Sequence, residues 1–421
     1  MANKTKYTKV RGTQDIFGDN AKKFRRIIEV SQDLARQSNF EEIITPVIES
    51  ANLFERNLGE ESDAISKELY RFEDRGSNII ALRPEFTAGI ARAVSENHEL
   101  YRIAQSKLGL KLFSYGPLFR YDRPQKGRYR QFHQINFEYF YNDAENNQTM
   151  NILRTVMLIE IIETLFDTLG IQNYKLCINS LGSPSCIKRY ENALKTYFFS
   201  YKDNLSKISK KRLAANPLRI LDSKEPEDRL LVAGAPKIKD CYTQEECEYF
   251  IKTQEALSNK KLEFTVDENL VRGLDYYTGF IFEFIAEDGL TILGGGEYDN
   301  LVEQIGDISL KAVGCAGGVE RLMDLLPKNS YVREPVLIFM VFEDSIQDPC
   351  LARRMNKCQE LTRMPVELML ISPNKITAEK RKLAEIHNNC YVIVYGANEI
   401  KTGKIEIENI QNNCISKISL F

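Results

Sequence analysis

The sequence contains no CxxC pair and no GxxxxGK[ST] phosphate loop. It has no apolar run near the roughly 20 residues of a membrane span, and only three histidines. Each absence removes a class of function. The nine cysteines are odd in number and scattered, with Cys241 and Cys247 the closest two. They read as reduced thiols, not as a disulfide frame or a zinc site. With so few histidines and no Cys/His cluster, no transition-metal site is expected. The missing P-loop sets aside that class of ATPase, and 180-SLGSPS-185 lacks GxGxxG spacing. The start, MANKTKYTKVRGTQDIFGDN, is basic without an apolar core, so a cytoplasmic protein with no membrane association is expected.

What is present suits a globular protein. A chain of 421 residues is long for one domain, and its 43% hydrophobic content supplies core material. The net charge of -2 gives no general attraction to polyanions, so any such partner must meet a local patch. One patch lies in 118-LFRYDRPQKGRYRQFHQINFEYF-140. There Arg120, Arg123, Lys126, Arg128 and Arg130 are opposed only by Asp122. RPQKG reads as a loop longer than a tight turn. The run after it alternates. His133, Ile135, Phe137 and Tyr139 share one face, which looks like core. Phe132, Gln134, Asn136 and Glu138 share the other, which carries polar groups roughly 13 Å apart at strand rise.

Helical spacing predicts an amphipathic helix over 21–37. FEEIITPVIES (40–50) reads as a strand broken by Pro46. Residues 68–92 read as a hairpin leading into a helix, and 149–170 as a long apolar helix ending at Gly170. A Lys-rich, helix-like segment from about 185 to 255 interrupts two strand-rich regions. Strand patterns resume over 262–286, then comes 294-GGGEYDN-300. The stretch 312-AVGCAGGVERLMDLL-326 reads as strand, Gly-Gly turn and helix. After a linker at 327–335, alternating apolar runs and helix patterns give βαβαβ, a separate domain with a mostly parallel sheet.

Arg120, Arg272 and Arg321 stand beside glycines or aromatics. A guanidinium forks onto phosphate or carboxylate oxygens, and a helix beginning after Gly317-Gly318 would add backbone donors. Singly, such features are ordinary. A lone strand arginine is commonly salt-bridged, GGG is commonly a turn or bulge, and Tyr276-Tyr277 could be core. Their joint occurrence in one order is more specific.

That order resembles the histidyl-tRNA synthetases, of class II. FEEIITPVIE is similar to motif 1, FRYDRPQKGRYRQFHQ to motif 2 and AGGVERL to motif 3. LVRGLDYYTG and GGGEYD resemble the two histidine-specific motifs, and RGTQDIFGD and LRPEFTAG also fit. The resemblance implies an α+β fold: a six-stranded antiparallel sheet flanked by helices, with a helical insertion and a C-terminal α/β anticodon-binding domain. Residues 1–184 and 256–328 would be catalytic core, 185–255 the insertion and 333–421 the anticodon-binding domain. Histidine and ATP would give histidyl-adenylate, and the histidyl group would pass to tRNA(His).

It also implies roles. Arg272, Arg120 and Arg321 would be catalytic and, with Arg128 and Phe132, bind ATP, Phe132 stacking on adenine. Glu85, Thr87 and Gln134 would hold the amino group of L-histidine, with Arg120 and Arg272 near its carboxylate. Glu138 and Tyr277 would take the imidazole, lined by Tyr276 and Tyr298. Arg123 and Gln125 would meet the tRNA acceptor end. Magnesium would be bound mainly through the ATP phosphates, with no protein metal site. The protein would be a homodimer with Pro46 at its interface. The sequence departs from the pattern at Phe86, where many bacterial members have glycine. It departs again at Glu297, where arginine is usual, and at Asn136, usually small. Two rivals are a non-catalytic regulatory subunit of ATP phosphoribosyltransferase and a tRNA sensor. The first typically lacks the C-terminal domain and has a degraded motif 2; the second has no need of the three arginines.

Overall fold

A computed structural model describes residues 7–57, 68–125, 127–143, 147–327, 335–386 and 389–419. Lys126 and positions 328–334 of the expected linker lie outside them. The chain divides into two units, Met1–Pro327 and Lys328–Phe421.

The strands of the first unit are, in chain order, β1 (Glu41–Glu42), β2 (Ile48–Ser50), β3 (Arg71–Glu73), β4 (Ile79–Leu82), β5 (Leu110–Phe119), β6 (Gln131–Tyr141), β7 (Tyr174–Ser180), β8 (Thr265–Val266), β9 (Thr278–Ala286), β10 (Thr291–Tyr298) and β11 (Lys311–Gly318). Eight form one sheet in the order β1-β5-β6-β11-β10-β9-β7-β8. The six inner strands pair antiparallel throughout. They are the six-stranded sheet expected from the resemblance. The two-residue strands β1 and β8 extend it with parallel edges. Pro46 falls between β1 and β2, where no ladder N–H is needed. β2, β4 and β3 make a small second sheet.

Helix Gly18–Gln37 buries Ile27, Ile28, Leu34 and Ala35 of the helically spaced stripe, adds Val30, and leaves Phe24 of that stripe half-buried. Helix Gln148–Leu169 stops at Gly170, whose φ of 70° is a left-handed cap that glycine adopts without strain. Between β7 and β8 lie helices Pro184–Ser200, Lys207–Ala215, Pro226–Ala233 and Gln244–Asn259. Their Tyr190, Leu194, Phe198, Leu213 and Val232 join the hydrophobic cluster that contains Leu110, Leu112 and Phe140 of the main sheet. The buried Asp228 carboxylate knits this segment by accepting from the hydroxyls of Ser206, Ser209 and Ser223.

One local expectation is corrected. Gly317-Gly318 is not a turn. β11 runs through Gly318, paired to Leu293 of β10 and to Ile135 and Gln134 of β6, and helix Val319–Leu325 follows directly.

The second unit holds β12 (Val336–Val341), β13 (Val366–Leu370), β14 (Cys390–Tyr395), β15 (Lys404–Asn409) and β16 (Cys414–Ser419), in the order β13-β12-β14-β15-β16. The first three are parallel, as the βαβαβ pattern implied. β15 and β16 add an antiparallel hairpin absent from that reading. β12 is apolar along its length because both its faces are covered. Leu337, Phe339 and Val341 pack on one side, Ile338 and Met340 on the other.

Candidate active site

The alternation of β6 puts Phe132, Gln134, Asn136 and Glu138 on one face of the sheet. Asn136 and Glu138 are each only 1% exposed, so this face is closed at its inner end. Across from Glu138, β11 carries Gly314. A Cβ there would stand 1.6 Å from Glu138 Oε2, so only glycine leaves room for the carboxylate. Glu138 Oε1 accepts from Thr87 Oγ1 at 2.5 Å and from Asn136 Nδ2 at 3.0 Å, and Oε2 accepts from the Tyr298 hydroxyl. Burial pushes the Glu138 carboxyl up to about 7 and outweighs these hydrogen bonds; Glu85 adds to the rise.

Three tyrosines close around this group. The rings of Tyr276 and Tyr277 are 4.7 Å apart between centroids, and Tyr298 stands 5.4 Å from Tyr276 and edge-on to Tyr277. All three are buried. Glu85 accepts from the backbone N–H groups of Thr87 at 2.5 Å and Ala88 at 2.8 Å, at the start of helix Thr87–Glu96. It thus fixes the turn that presents the Thr87 hydroxyl. Phe86, in this turn, has φ -93° and ψ -37°, which any residue adopts. Its ring is buried beneath the Arg83 guanidinium, 4.4 Å from its centroid. The usual glycine is not needed there.

The arginines gather further along the same face. Arg120 follows β5 directly, donates from Nε to Pro84 O at 2.9 Å and lies 5.2 Å from the Phe132 ring centroid. Arg272 pairs with Glu283 of β9 and sits 5.3 Å from the Tyr277 ring. Its Nε is buried without a partner. Burial works against its charge, but Glu283 and the two tyrosines hold its pKa above the ordinary value. A Cβ at Gly294 would stand 2.2 Å from Arg272 Nη1, so the GGG run leaves space for a guanidinium as Gly314 does for Glu138. Arg321, third in its helix, donates to Gly127 O at 3.2 Å and to Thr291 O. Burial, then Arg128 and Arg120, lower its pKa against a smaller opposing pull from Glu283 and Asp288.

The loop between β5 and β6 closes at Gln125 and Arg128, which exchange backbone hydrogen bonds of 3.3 and 2.9 Å across Gly127. Arg123 and Gln125 are exposed at its tip, and Arg128 pairs with Asp122 at 3.3 Å. Arg130 instead stacks on Tyr121 at 3.9 Å, and its N–H donates to Gly12 O at 2.7 Å, so the RGTQD segment braces the loop base. Gln134, half-buried, lies between the two ends of the face.

Glu283 was missed from the sequence, although one charged residue inside the strand FIFEFIA was a usable signal. Both its oxygens are engaged, one by Arg272 and one by Thr291 Oγ1. Also missed was the His133–Glu320 pair at 2.9 Å, which ties motif 2 to the helix carrying Arg321. Among the described residues no cluster of His, Cys, Asp or Glu could hold a metal ion. No helix among them is long and apolar enough to cross a membrane.

The model of the histidyl-tRNA synthetase family matches residues 12–322. A histidine–tRNA ligase of Neorickettsia sennetsu is 45% identical over 76% of this chain and 76% of its own. That of Wolbachia pipientis wMel is 37% identical over 97% of this chain and 96% of its own. Among solved structures, the apo histidyl-tRNA synthetase of S. aureus superposes with a TM-score of 0.72 at 28% identity, covering 98% of this chain and 97% of that one. An ATP phosphoribosyltransferase regulatory subunit/histidyl-tRNA synthetase from Bacillus halodurans, at 20% identity, TM-score 0.64 and coverage of 93% and 100%, shares the fold. With the family model matching residues 12–322 and similarity to histidine–tRNA ligases running nearly end to end, the chain belongs to the histidyl-tRNA synthetase family.

Proposed function

We propose that the chain is a histidine–tRNA ligase that forms AMP and diphosphate. The observation that carries this is the division of one sheet face: a buried carboxylate with three tyrosines at one end, and Arg120, Arg272 and Arg321 with glycine-backed space at the other. The first end suits a small ring with one donor and one acceptor nitrogen. The second suits a triphosphate.

In the first step a carboxylate oxygen of histidine attacks the α-phosphorus of ATP and diphosphate leaves. In the second, a terminal hydroxyl of the tRNA attacks the activated carbonyl and AMP leaves. The first is an in-line displacement at phosphorus and the second an addition–elimination at the carbonyl carbon, and in both positioning and fixed charge do the work. Arg272 is suited to the charge that develops at the α-phosphate, because its buried Nε has no partner and Glu283 holds it rigidly. Arg120 faces the same region from β5, while Arg321 and Arg128 serve the outer phosphates. Phe132 offers a ring face to adenine. Thr87, Gln134 and Glu85 serve the amino group, Glu138 and Tyr277 the imidazole, with Tyr276 and Tyr298 as walls. Magnesium would be held mainly through the ATP phosphates, whose charge it would offset.

Arg123 and Gln125, exposed at the loop tip, serve the acceptor end of tRNA. Residues 333–421 bind the anticodon arm, 185–255 are an insertion in the catalytic core, and the protein is a homodimer. Charging of a tRNA(His) transcript with labelled histidine tests the proposal. Stable histidyl-tRNA supports it. Absence of charging alongside an active control synthetase refutes it.

A further inference from the structure

Glu297 is the residue at which the sequence reverses the charge usual in the family pattern. It is 6% exposed. It precedes Tyr298 on β10, so strand alternation turns it to the face away from the site. Its Oε1 accepts from Thr155 Oγ1 at 2.9 Å and from the Tyr249 hydroxyl at 2.6 Å, and its Oε2 accepts from the Phe280 backbone N–H at 2.9 Å. The donors come from helix Gln148–Leu169, helix Gln244–Asn259 and β9. One carboxylate therefore binds three elements to the strand that carries Tyr298.

The Phe280 bond falls at a break in pairing. Gly296 pairs with Ile281, but Glu297 pairs with Thr278, so Gly279 and Phe280 are extra residues on β9. Gly279 has φ +57°, and a Cβ on it would stand 2.2 Å from Glu297 Oε2. A bulge leaves a ladder donor unpaired, and here the Glu297 side chain supplies the acceptor. On the far side of Tyr298, the Asp299 N–H donates to Thr278 Oγ1 at 3.1 Å. Tyr298 is thus clamped between two bonds that cross the bulge, and its hydroxyl meets Glu138.

The geometry points to Glu297 as a positioning residue for amino-acid recognition: its carboxylate plugs the β9 bulge and so holds the Tyr298 hydroxyl on Glu138. This rests on the reading of Glu138 as the group that binds the histidine ring. The plug leaves the arginine end untouched, because no contact of Glu297 reaches Arg120, Arg272 or Arg321. Its effect is confined to one substrate, which a general loss of fold would not produce.

The test is histidine-dependent ATP–pyrophosphate exchange by Glu297→Ala and Glu297→Gln, with both substrates varied. Glu297→Ala should raise the histidine KM about tenfold, as displacement of a positioned group by a fraction of an ångström does, and leave the ATP KM unchanged. Glu297→Gln should restore most of the loss, since its amide oxygen can accept from Phe280 N–H and its NH2 can donate to the two hydroxyls. A folded Glu297→Ala protein with an unchanged histidine KM, or with both KM values raised alike, overturns the inference. If that variant does not fold, Tyr249→Phe is read the same way: a selective rise in histidine KM supports it and no rise overturns it. Glu138→Gln is measured beside them. If it leaves the histidine KM at the wild-type value, the reading of Glu138 fails. If it raises that KM while the Glu297 variants do not, this inference alone fails.

Discussion

Replacing Glu138 by Gln keeps the shape of the side chain and removes its charge. Three donors face the carboxylate, from Thr87, Asn136 and Tyr298. The amide oxygen can keep the Tyr298 bond, and its NH2 can donate to the Thr87 hydroxyl. It can also meet the Asn136 Oδ1, which is buried with no partner, once that amide turns. The fold therefore tolerates the change. It should gain, because burial holds the carboxyl near 7 against an ordinary 4.5, a penalty on the ionised form of about 3 kcal/mol above that range. For the substrate the balance is opposite. A charged acceptor for a ring N–H is worth about 1–2 kcal/mol more than a neutral one, so the histidine KM should rise by about tenfold with the ATP KM unchanged. The assay is pyrophosphate exchange with each substrate varied in turn, beside thermal melts at pH 8. Wild-type histidine kinetics would refute the reasoning, and so would a lower melting temperature with both KM values raised.

Arg272→Ala should cut the rate of adenylate formation by ~10²–10³, the cost of losing one fixed donor at developing charge. Pre-steady-state adenylation within about tenfold of wild type would contradict the role. The double variant Arg123→Ala/Gln125→Ala should slow transfer to tRNA and spare pyrophosphate exchange, since both side chains project from the loop tip; equal losses in both assays would place the loop in the ATP site. Glu138 and Glu297 both have folded pKa values raised to about 7 by burial. The stabilisation from holding their protons is complete below the unfolded value of 4.5 and lost as pH rises to the folded value of about 7, so the melting temperature should fall between about pH 5 and 7 and level off above that. A flat or rising profile there would contradict the burial of these carboxylates as acids. A chain ending at Pro327 should show a raised KM for tRNA(His) in charging assays, and an unchanged value would remove the anticodon role from the second unit.

The antiparallel sheet was legible because motif order carried it and because β6 alternates so regularly. Period-2 patterning could not tell a wet face from a site face. Asn136 and Glu138 are buried, and the tyrosine hydroxyl that reaches Glu138 comes from Tyr298, on a strand far along the chain. GGG and Gly317-Gly318 suggested turns, but all are strand residues. The missing side chains of Gly294 and Gly314 make room for Arg272 and Glu138, a contact between distant elements that no local signal shows. The β15–β16 hairpin was missed because KIEIEN and CISKIS set isoleucines among polar residues and form no apolar run. Glu297 was visible as a departure from the family pattern. Its meaning was not, because Thr155 and Tyr249 reach it from helices far along the chain.

The central claim is that one face of this sheet joins a histidine pocket to a triphosphate site. ATP–pyrophosphate exchange across a panel of the twenty amino acids tests it most directly. Exchange should depend on histidine and fall by as much as ~10⁴ for amino acids that cannot pair with Glu138 and Tyr277. Exchange that is absent with histidine, or equally strong with another amino acid, would contradict it.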